Sequence, residues 1–410
     1  MSKIAVLGYG VVGSGTVELF YKNAESIRKR TGISDLDIKY ILDIRDFPDS
    51  PYANKFTKNM DDILNDDEVK IVAEVMGGVH PAYDFVKAAL EKGKSCVTSN
   101  KEMVAQKGAE LLKIAKEHNC NFMFEASTGG AIPIIRPLHQ CLAGNEITGI
   151  AGILNGTTNF ILTKMFSENM SFDDALALAQ KLGYAERNPA ADVEGLDACR
   201  KICILSSLVY GKHVYPDYIH TEGITAITRE DVEYAENWGG KVKLIGSVKK
   251  CADGKILPMV RPAFVCNDMQ LSNISDVFNG ITVYGDGFDE VMFYGRGAGK
   301  LPTASAVVGD IIDCARLSGT SVSQTWEDSD NADFIEDYKN DSVAFYVRMT
   351  DADKVQIAGI FGDVEYLSRE GQPADEAAFV TKEMPEKDFD AKLEKLSGKV
   401  LGKIRILNIR

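Results

Sequence analysis

The stretch KIAVLGYGVVG, Lys3–Gly13, sets a short apolar strand directly before a GxGxxG loop that opens a helix. In that context each glycine has a task. Gly8 permits the sharp turn, Gly10 lets the backbone approach a pyrophosphate, and Gly13 lets helix and strand pack closely. The helix start offers free N–H groups and a partial positive charge to an anion. Gly8, Gly10, Val11, Val12 and Gly13 are thus candidate dinucleotide contacts. A glycine turn of any α/β protein is the competing reading, and the alternation of strands and helices downstream weighs against it.

Beyond the loop, the pattern predicts a helix over Val11–Arg30, then strands at Ile38–Ile44, Val69–Met76, Lys94–Ser99 and Asn121–Ala126. Helical patterns at MDDILN, Pro81–Lys92 and Met103–His118 alternate with them. Apolar strands alternating with helices imply right-handed crossovers and a Rossmann-type, doubly wound parallel sheet. This nucleotide domain is expected over 1–145, completed by about 295–320. Asp43, Arg45 and Asp46 close the second strand. An acid there suits the ribose hydroxyls of NAD, and Arg45 suits the extra phosphate of NADP, so both cofactors stay open.

After Pro133–Leu142 the alternation ends. A strand at Glu146–Leu154, helices at Thr158–Glu168, Phe172–Leu182 and Val193–Tyr210, and strands at Lys255–Val265, Gly280–Gly285 and Glu290–Tyr294 suggest an α+β substrate and dimerisation domain over 146–294. The acidic stretch SQTWEDSDNADFIEDYKND falls in an expected linker, 321–340. Residues 341–410 read strand, helix, strand, strand, helix, strand, a ferredoxin-like module.

Composition narrows the function. The 410 residues include 60 Asp+Glu against 46 Lys+Arg, a net charge of −14, which argues against nucleic acid or an anionic membrane as partner. No apolar run approaches the ~20 residues of a membrane span, and the start lacks a secretory pattern. The eight cysteines form no CxxC pair, and the five histidines form no HExxH, so a zinc site is not expected. Reduced thiols in a cytoplasmic protein fit this usage.

Six segments, in this order and spacing, resemble homoserine dehydrogenase. They are EVMGGVHPAY (Glu74–Tyr83), VTSNKEMVA (Val97–Ala105), EASTGGAIPIIRPL (Glu125–Leu138), GTTNFIL (Gly156–Leu162), GYAERNPAADVEGLDACRK (Gly183–Lys201) and YGRGAGKLPTASAVVGDI (Tyr294–Ile311). The resemblance spans about the first 320 residues. It implies NAD(P)H-dependent reduction of L-aspartate 4-semialdehyde to L-homoserine, on the route to threonine, methionine and isoleucine. With the dehydrogenase starting at residue 1, the monofunctional form is expected. A homodimer through the middle domain, or a homotetramer, is implied as well.

The resemblance also implies roles. Lys201 matches the proton donor, with Asp197 one helical turn earlier; spacing alone would read them as a surface i,i+4 pair. Glu186 and Asp192 match substrate carboxylates, with Asp197 beside them; solvation of a polar loop is their competing reading. Lys101 matches a residue where cofactor and substrate adjoin, a cofactor contact that would also act in catalysis by polarising the substrate, and Ser99 in the same strand-end loop is expected to contact the cofactor; a solvated loop lysine is the competing reading. Gly77 and Gly78 would approach the nicotinamide, and Gly183 and Gly297 would close over the cofactor. Glu125, with the carbonyls of Thr128, Gly130 and Ile132, matches a structural sodium site bracing the domain hinge; a glycine turn with a buried, backbone-bonded Glu is the alternative.

Aldehyde reduction needs a proton at the nascent alkoxide, and the reverse reaction needs a neutral amine to take it back. Homoserine oxidation is therefore expected to improve towards alkaline pH. Two departures from the family pattern stand out. Asn188 replaces a frequent Asp near the substrate loop. The C-terminal module resembles an ACT domain, which implies threonine as effector, yet TDADKVQIAGIF lacks the usual Pro-Gly turn; a role in dimer contacts or stability is the alternative.

Overall fold

The computed structural model describes residues 2–317, 319–322 and 326–409. Ser323–Thr325, in the expected linker, lie outside the described residues. The chain divides into two units. One holds residues 1–145, 203–216 and 295–330, and the other holds 146–202, 217–294 and 331–410.

In the first unit, strands β1 (Lys3–Leu7), β2 (Asp37–Leu42), β3 (Phe56–Thr57), β4 (Val69–Glu74), β5 (Ser95–Thr98) and β6 (Phe122–Met123) form one sheet in the order 3-2-1-4-5-6. Every pairing is parallel. This is the doubly wound dinucleotide-binding order, with its switch point where β1 meets β4. β1, β4 and β5 are buried almost throughout, as their continuous apolar runs require once helices cover both faces. The helix Lys300–Arg316 returns to this unit and packs on the helix Val11–Lys22. Gly15 permits that approach: a Cβ there would stand 2.8 Å from the Lys300 carbonyl oxygen. The expected single helix Val11–Arg30 is two, Val11–Lys22 and Ala24–Thr31, with Asn23 between them at φ −109°, ψ 13°. The Asn23 backbone N–H closes the first helix onto the Leu19 and Tyr21 carbonyls.

Trp326, in the acidic stretch, is buried; its indole N–H donates to His213 Nδ1 at 2.9 Å, and its ring occupies the space above Gly108.

The second unit is built on one mixed sheet. Its strands run Asp289–Arg296, Phe278–Gly285, Ile147–Ile153, Gly240–Lys250, Ile256–Cys266, Lys399–Ile406, Phe345–Thr350, Glu376–Val380 and Glu365–Leu367. The last four have the 4-1-3-2 order of a ferredoxin-like module, and they continue the sheet by a short parallel pairing of Ala263 and Phe264 with Arg405 and Ile406. Buried ion pairs support that join. Arg348 binds Asp231 at 2.9 Å and Glu376 at 3.3 Å, and Arg405 binds Glu386 at 2.6 Å and Glu222 at 2.9 Å. The helix Arg229–Trp238 carries Asp231 and starts with a capping box between Thr228 and Asp231.

Candidate active site

In the first unit the glycine loop has the shape a pyrophosphate needs. Gly8 has φ +94°, and a Cβ at Gly13 would sit 1.9 Å from the Gly8 carbonyl oxygen. At Gly10 a Cβ would meet nothing within 4 Å, and no side chain caps the helix Val11–Lys22. Open space before uncapped helix N–H groups fits a dinucleotide phosphate. Val11 is exposed at that end and Val12 is half-buried.

Beside the loop, Asp43 Oδ2 accepts the Tyr9 N–H at 2.7 Å. Arg45 grips the same carboxylate from Nε and Nη2 and holds it well below the usual carboxylate range. At the end of β4, Glu74 is fully buried. Its Oε1 accepts the N–H groups of Met76 at 2.7 Å and Gly77 at 3.3 Å, and Thr98 Oγ1 donates to Oε2. Asn100 caps the helix Lys101–Glu117 through Met103 N–H and donates to the Gly78 carbonyl. Lys101 is the first residue of that helix, and the Ser99 N–H donates to the Glu74 carbonyl at 3.3 Å. Gly77 and Gly78 take φ +88° and +73°, so the turn needs them. Burial pushes the Glu74 carboxyl up. Sequence reading missed Glu74; the only signal was one acid inside the apolar run VKIVAEVM.

Glu125 is buried, and its carboxylate accepts three backbone N–H groups, from Ile134 at 2.6 Å, Ile135 at 2.8 Å and Arg136 at 2.9 Å. Ile132 N–H closes a turn onto the Gly129 carbonyl at 2.9 Å, and Thr128 is buried before it. A Cβ on Gly130, at φ +58°, would lie 2.4 Å from the Gly297 carbonyl oxygen. Two glycines with different expected tasks therefore pack on each other. The Glu125 N–H donates to Asp310, which burial pushes up to about 7 while Arg136 pairs with it at 2.6 Å.

In the second unit, Lys201 and Asp197 are both buried on the helix Leu196–Tyr210. Lys201 Nζ donates to Asp197 Oδ2 at 2.7 Å and to the Leu154 carbonyl at 2.6 Å. Asn155 Nδ2 donates to Asp192 Oδ1 at 2.7 Å and to Asp197 Oδ2 at 2.9 Å. The structure thus brings Asp192, Asp197 and Lys201 together at the junction of strand Ile147–Ile153 and helix Gly156–Ser167. The helix expected over Val193–Tyr210 is interrupted. Ala190–Val193 and Leu196–Tyr210 are separate helices around Gly195, at φ +83°, which lies against Thr221 and Val260. Glu186 and Gly183 are exposed, outside this hydrogen-bonded cluster; Gly183 has φ +77° in the turn after helix Phe172–Lys181. The loop is tied down by Thr157 Oγ1 donating to the Tyr184 carbonyl at 2.7 Å. Asn188 Oδ1 accepts the Ala190 N–H at 3.3 Å. Asn155, the hub of the cluster, was also missed by sequence reading.

The chain's relatives give its family. A family model described as Homoserine dehydrogenase matches residues 133–312, and one described as Homoserine dehydrogenase, NAD binding domain, matches residues 8–125. The homoserine dehydrogenase of Synechocystis is 38% identical over 96% of this chain and 96% of its own length. That of Helicobacter pylori is 42% identical over 76% of this chain and 73% of its own. The crystal structure of a homoserine dehydrogenase from Thiobacillus denitrificans superposes with a TM-score of 0.89 at 32% identity, covering 100% of this chain and 99% of that one. A hyperthermophilic archaeal homoserine dehydrogenase mutant in complex with NADPH matches with a TM-score of 0.64 at 30% identity, over 77% of this chain and 98% of its own. With relatives that match along almost its entire length and a nucleotide fold of the required strand order, the chain belongs to the homoserine dehydrogenase family, oxidoreductases with an NAD(P)-binding domain that interconvert aspartate 4-semialdehyde and homoserine.

Proposed function

We propose that Lys201 is the proton carrier of this reaction and that Asp197 holds it in place. When bound, the nicotinamide cofactor supplies or accepts the hydride. Reduction leaves negative charge on the substrate oxygen, and the Lys201 ammonium neutralises it by giving up a proton. In oxidation the neutral amine takes the proton back. Asp192 and Asp197, joined by Glu186 from the loop, accept from the substrate ammonium, and Lys101 polarises the substrate from the cofactor side. The observation that supports this reading is the buried Lys201 ammonium, gripped at once by Asp197 and the Leu154 carbonyl. A lysine merely solvating a helix surface would not be buried and gripped twice.

Arg45 favours NADPH, and an NADPH complex is known for an archaeal relative. At the residues matched to a sodium site, the Glu125 carboxylate accepts three backbone amides, which supports a bracing role. Glu125 is read as a brace for the turn, and no step passes through an ion. The C-terminal module is read as structural, since Asp353 caps its first helix, where an effector turn would lie, and buried ion pairs hold its strands. A cytoplasmic homodimer or homotetramer is the proposed working form.

Steady-state kinetics with NADPH and NADH, with and without threonine, test this on the parent and Lys201→Ala. The expected result is a loss of about 10²–10⁴ in kcat for Lys201→Ala with cofactor affinity retained. Parental kcat in the variant would overturn the assignment.

A further inference from the structure

We propose that Asn155 is a positioning residue of this enzyme, whose side-chain amide sets the orientation of Asp197 and Asp192 around Lys201. The inference rests on Lys201 as proton carrier and adds a residue that neither motif nor relative assigns.

Both ends of the amide are engaged. Oδ1 accepts the Thr158 N–H at 2.8 Å, capping helix Gly156–Ser167. The two hydrogens of Nδ2 go to two different carboxylates, Asp192 at 2.7 Å and Asp197 at 2.9 Å. Flipping the amide would set its NH₂ against the Thr158 N–H and its oxygen against two carboxylates, so the network allows one orientation. The bond to Asp197 ends on Oδ2, the same oxygen that receives Lys201 Nζ. Asn155 therefore competes with the lysine for the electron density of one carboxylate oxygen. It also places a neutral double donor where two negative side chains would otherwise face each other. The residue before it, Leu154, supplies the second acceptor for the Lys201 ammonium, so the same strand end reaches the lysine directly through Leu154 and indirectly through Asn155 and Asp197.

That strand end is itself fixed. A Cβ at Gly156 would lie 2.7 Å from the Val277 carbonyl oxygen, so only glycine lets the helix start sit there. One turn on, Asn159 Nδ2 donates to the carbonyls of Asp276 at 3.0 Å and Phe278 at 3.1 Å. Its Oδ1 accepts from the buried Lys243, which also donates to the Ile274 carbonyl at 2.6 Å. The motif Asn155-Gly-Thr-Thr-Asn159 thus divides its labour: Asn159 anchors the helix, and Asn155 faces the chemistry.

Serine and aspartate both cap helices about as well as asparagine. Both variants therefore keep the cap: Asn155→Ser replaces the two amide donors by one hydroxyl on a shorter side chain, and Asn155→Asp removes both donors and adds a third negative charge. The expected result for Asn155→Ser is a near-parental melting temperature, unchanged NADPH affinity, a raised homoserine KM and a kcat lowered about tenfold or more. Its homoserine-oxidation profile should move to higher pH, because Asp197 then stabilises the ammonium more strongly. Asn155→Asp should lose more activity than Asn155→Ser. If Asn155 only caps the helix, Asn155→Ser should match the parent in kcat, KM and pH profile, which would overturn the proposal. If Asn155→Ser does not fold, Asn155→Thr, a second hydroxyl cap without the amide donors, is read by the same kcat, KM and pH profile. Lys201→Ala separates the two claims: an inactive Lys201→Ala beside parental Asn155 variants sinks only the Asn155 proposal, whereas an active Lys201→Ala sinks the lysine assignment.

Discussion

Arg45 holds the carboxylate of Asp43 with two bonds, Nε to Oδ1 at 3.0 Å and Nη2 to Oδ2 at 2.9 Å, at the rim of the glycine loop. The acid that would bind an NAD ribose is already occupied by the cation that would bind an NADP phosphate. Arg45→Ala removes the phosphate partner and releases Asp43. The NADPH KM should rise about tenfold or more while the NADH KM holds or falls. An unchanged ratio of the two would refute Arg45 as the discriminating residue.

Glu74 ties the Gly77-Gly78 turn to the sheet by accepting the N–H groups of Met76 and Gly77. Glu74→Ala leaves the buried Thr98 hydroxyl and the part-buried amide of Met76 without this acceptor, at up to about 1–3 kcal/mol for a group that stays dry. It should lower the melting temperature and raise the cofactor KM. Glu74→Gln keeps one oxygen for the amides and an NH₂ for Thr98 Oγ1, so it should stay close to the parent. Equal behaviour of Ala and Gln in a thermal melt would count against this reading.

Gly130 and Gly183 both have positive φ, at +58° and +77°, but only Gly130 faces a neighbour. Gly183→Ala should cost the left-handed penalty of about 1–2 kcal/mol. Gly130→Ala adds a Cβ that would clash with the Gly297 carbonyl, so it should cost clearly more. Urea unfolding of the two variants side by side checks the order.

Burial lowers Lys243 to about 7, against about 10.4 for a lysine in water. Between those values the unfolded chain binds a proton that the folded chain does not. Stability from this group therefore rises with pH across that window, by at most about 1.4 kcal/mol per unit. Below pH 7 the folded lysine is charged too, and the dependence vanishes. Lys243→Met should flatten the pH 7–10 rise in the unfolding midpoint. A parental slope in that variant would contradict the assignment.

Much of the fold was legible because local sequence and tertiary role agree. KIAVL and the glycine loop announce the nucleotide sheet, since strands buried on both faces must be apolar along their length. The helix Arg229–Trp238 and the strand Gly240–Lys250 were not foreseen. The strand reads GKVKLIGSVKK, and its Lys243 is buried only because Asn159 and Ile274 receive it, a tertiary fact that no periodicity reports. Lys201 and Asp197 looked like a surface pair for the same reason: spacing gives the helix face but not what covers it. Asn155 and Glu74 were hidden because their partners lie about 20 to 40 residues away, as in the 42-residue separation of Asn155 from Asp197.

The most direct measurement is the rate of homoserine oxidation from pH 7 to 10, in the parent and in Lys201→Ala, with folding monitored at each pH. Lys201 as proton carrier requires a parental rate that climbs as the amine loses its proton, and a variant rate that is low and nearly flat. A parental rate that falls steadily across that range while the enzyme stays folded would contradict it.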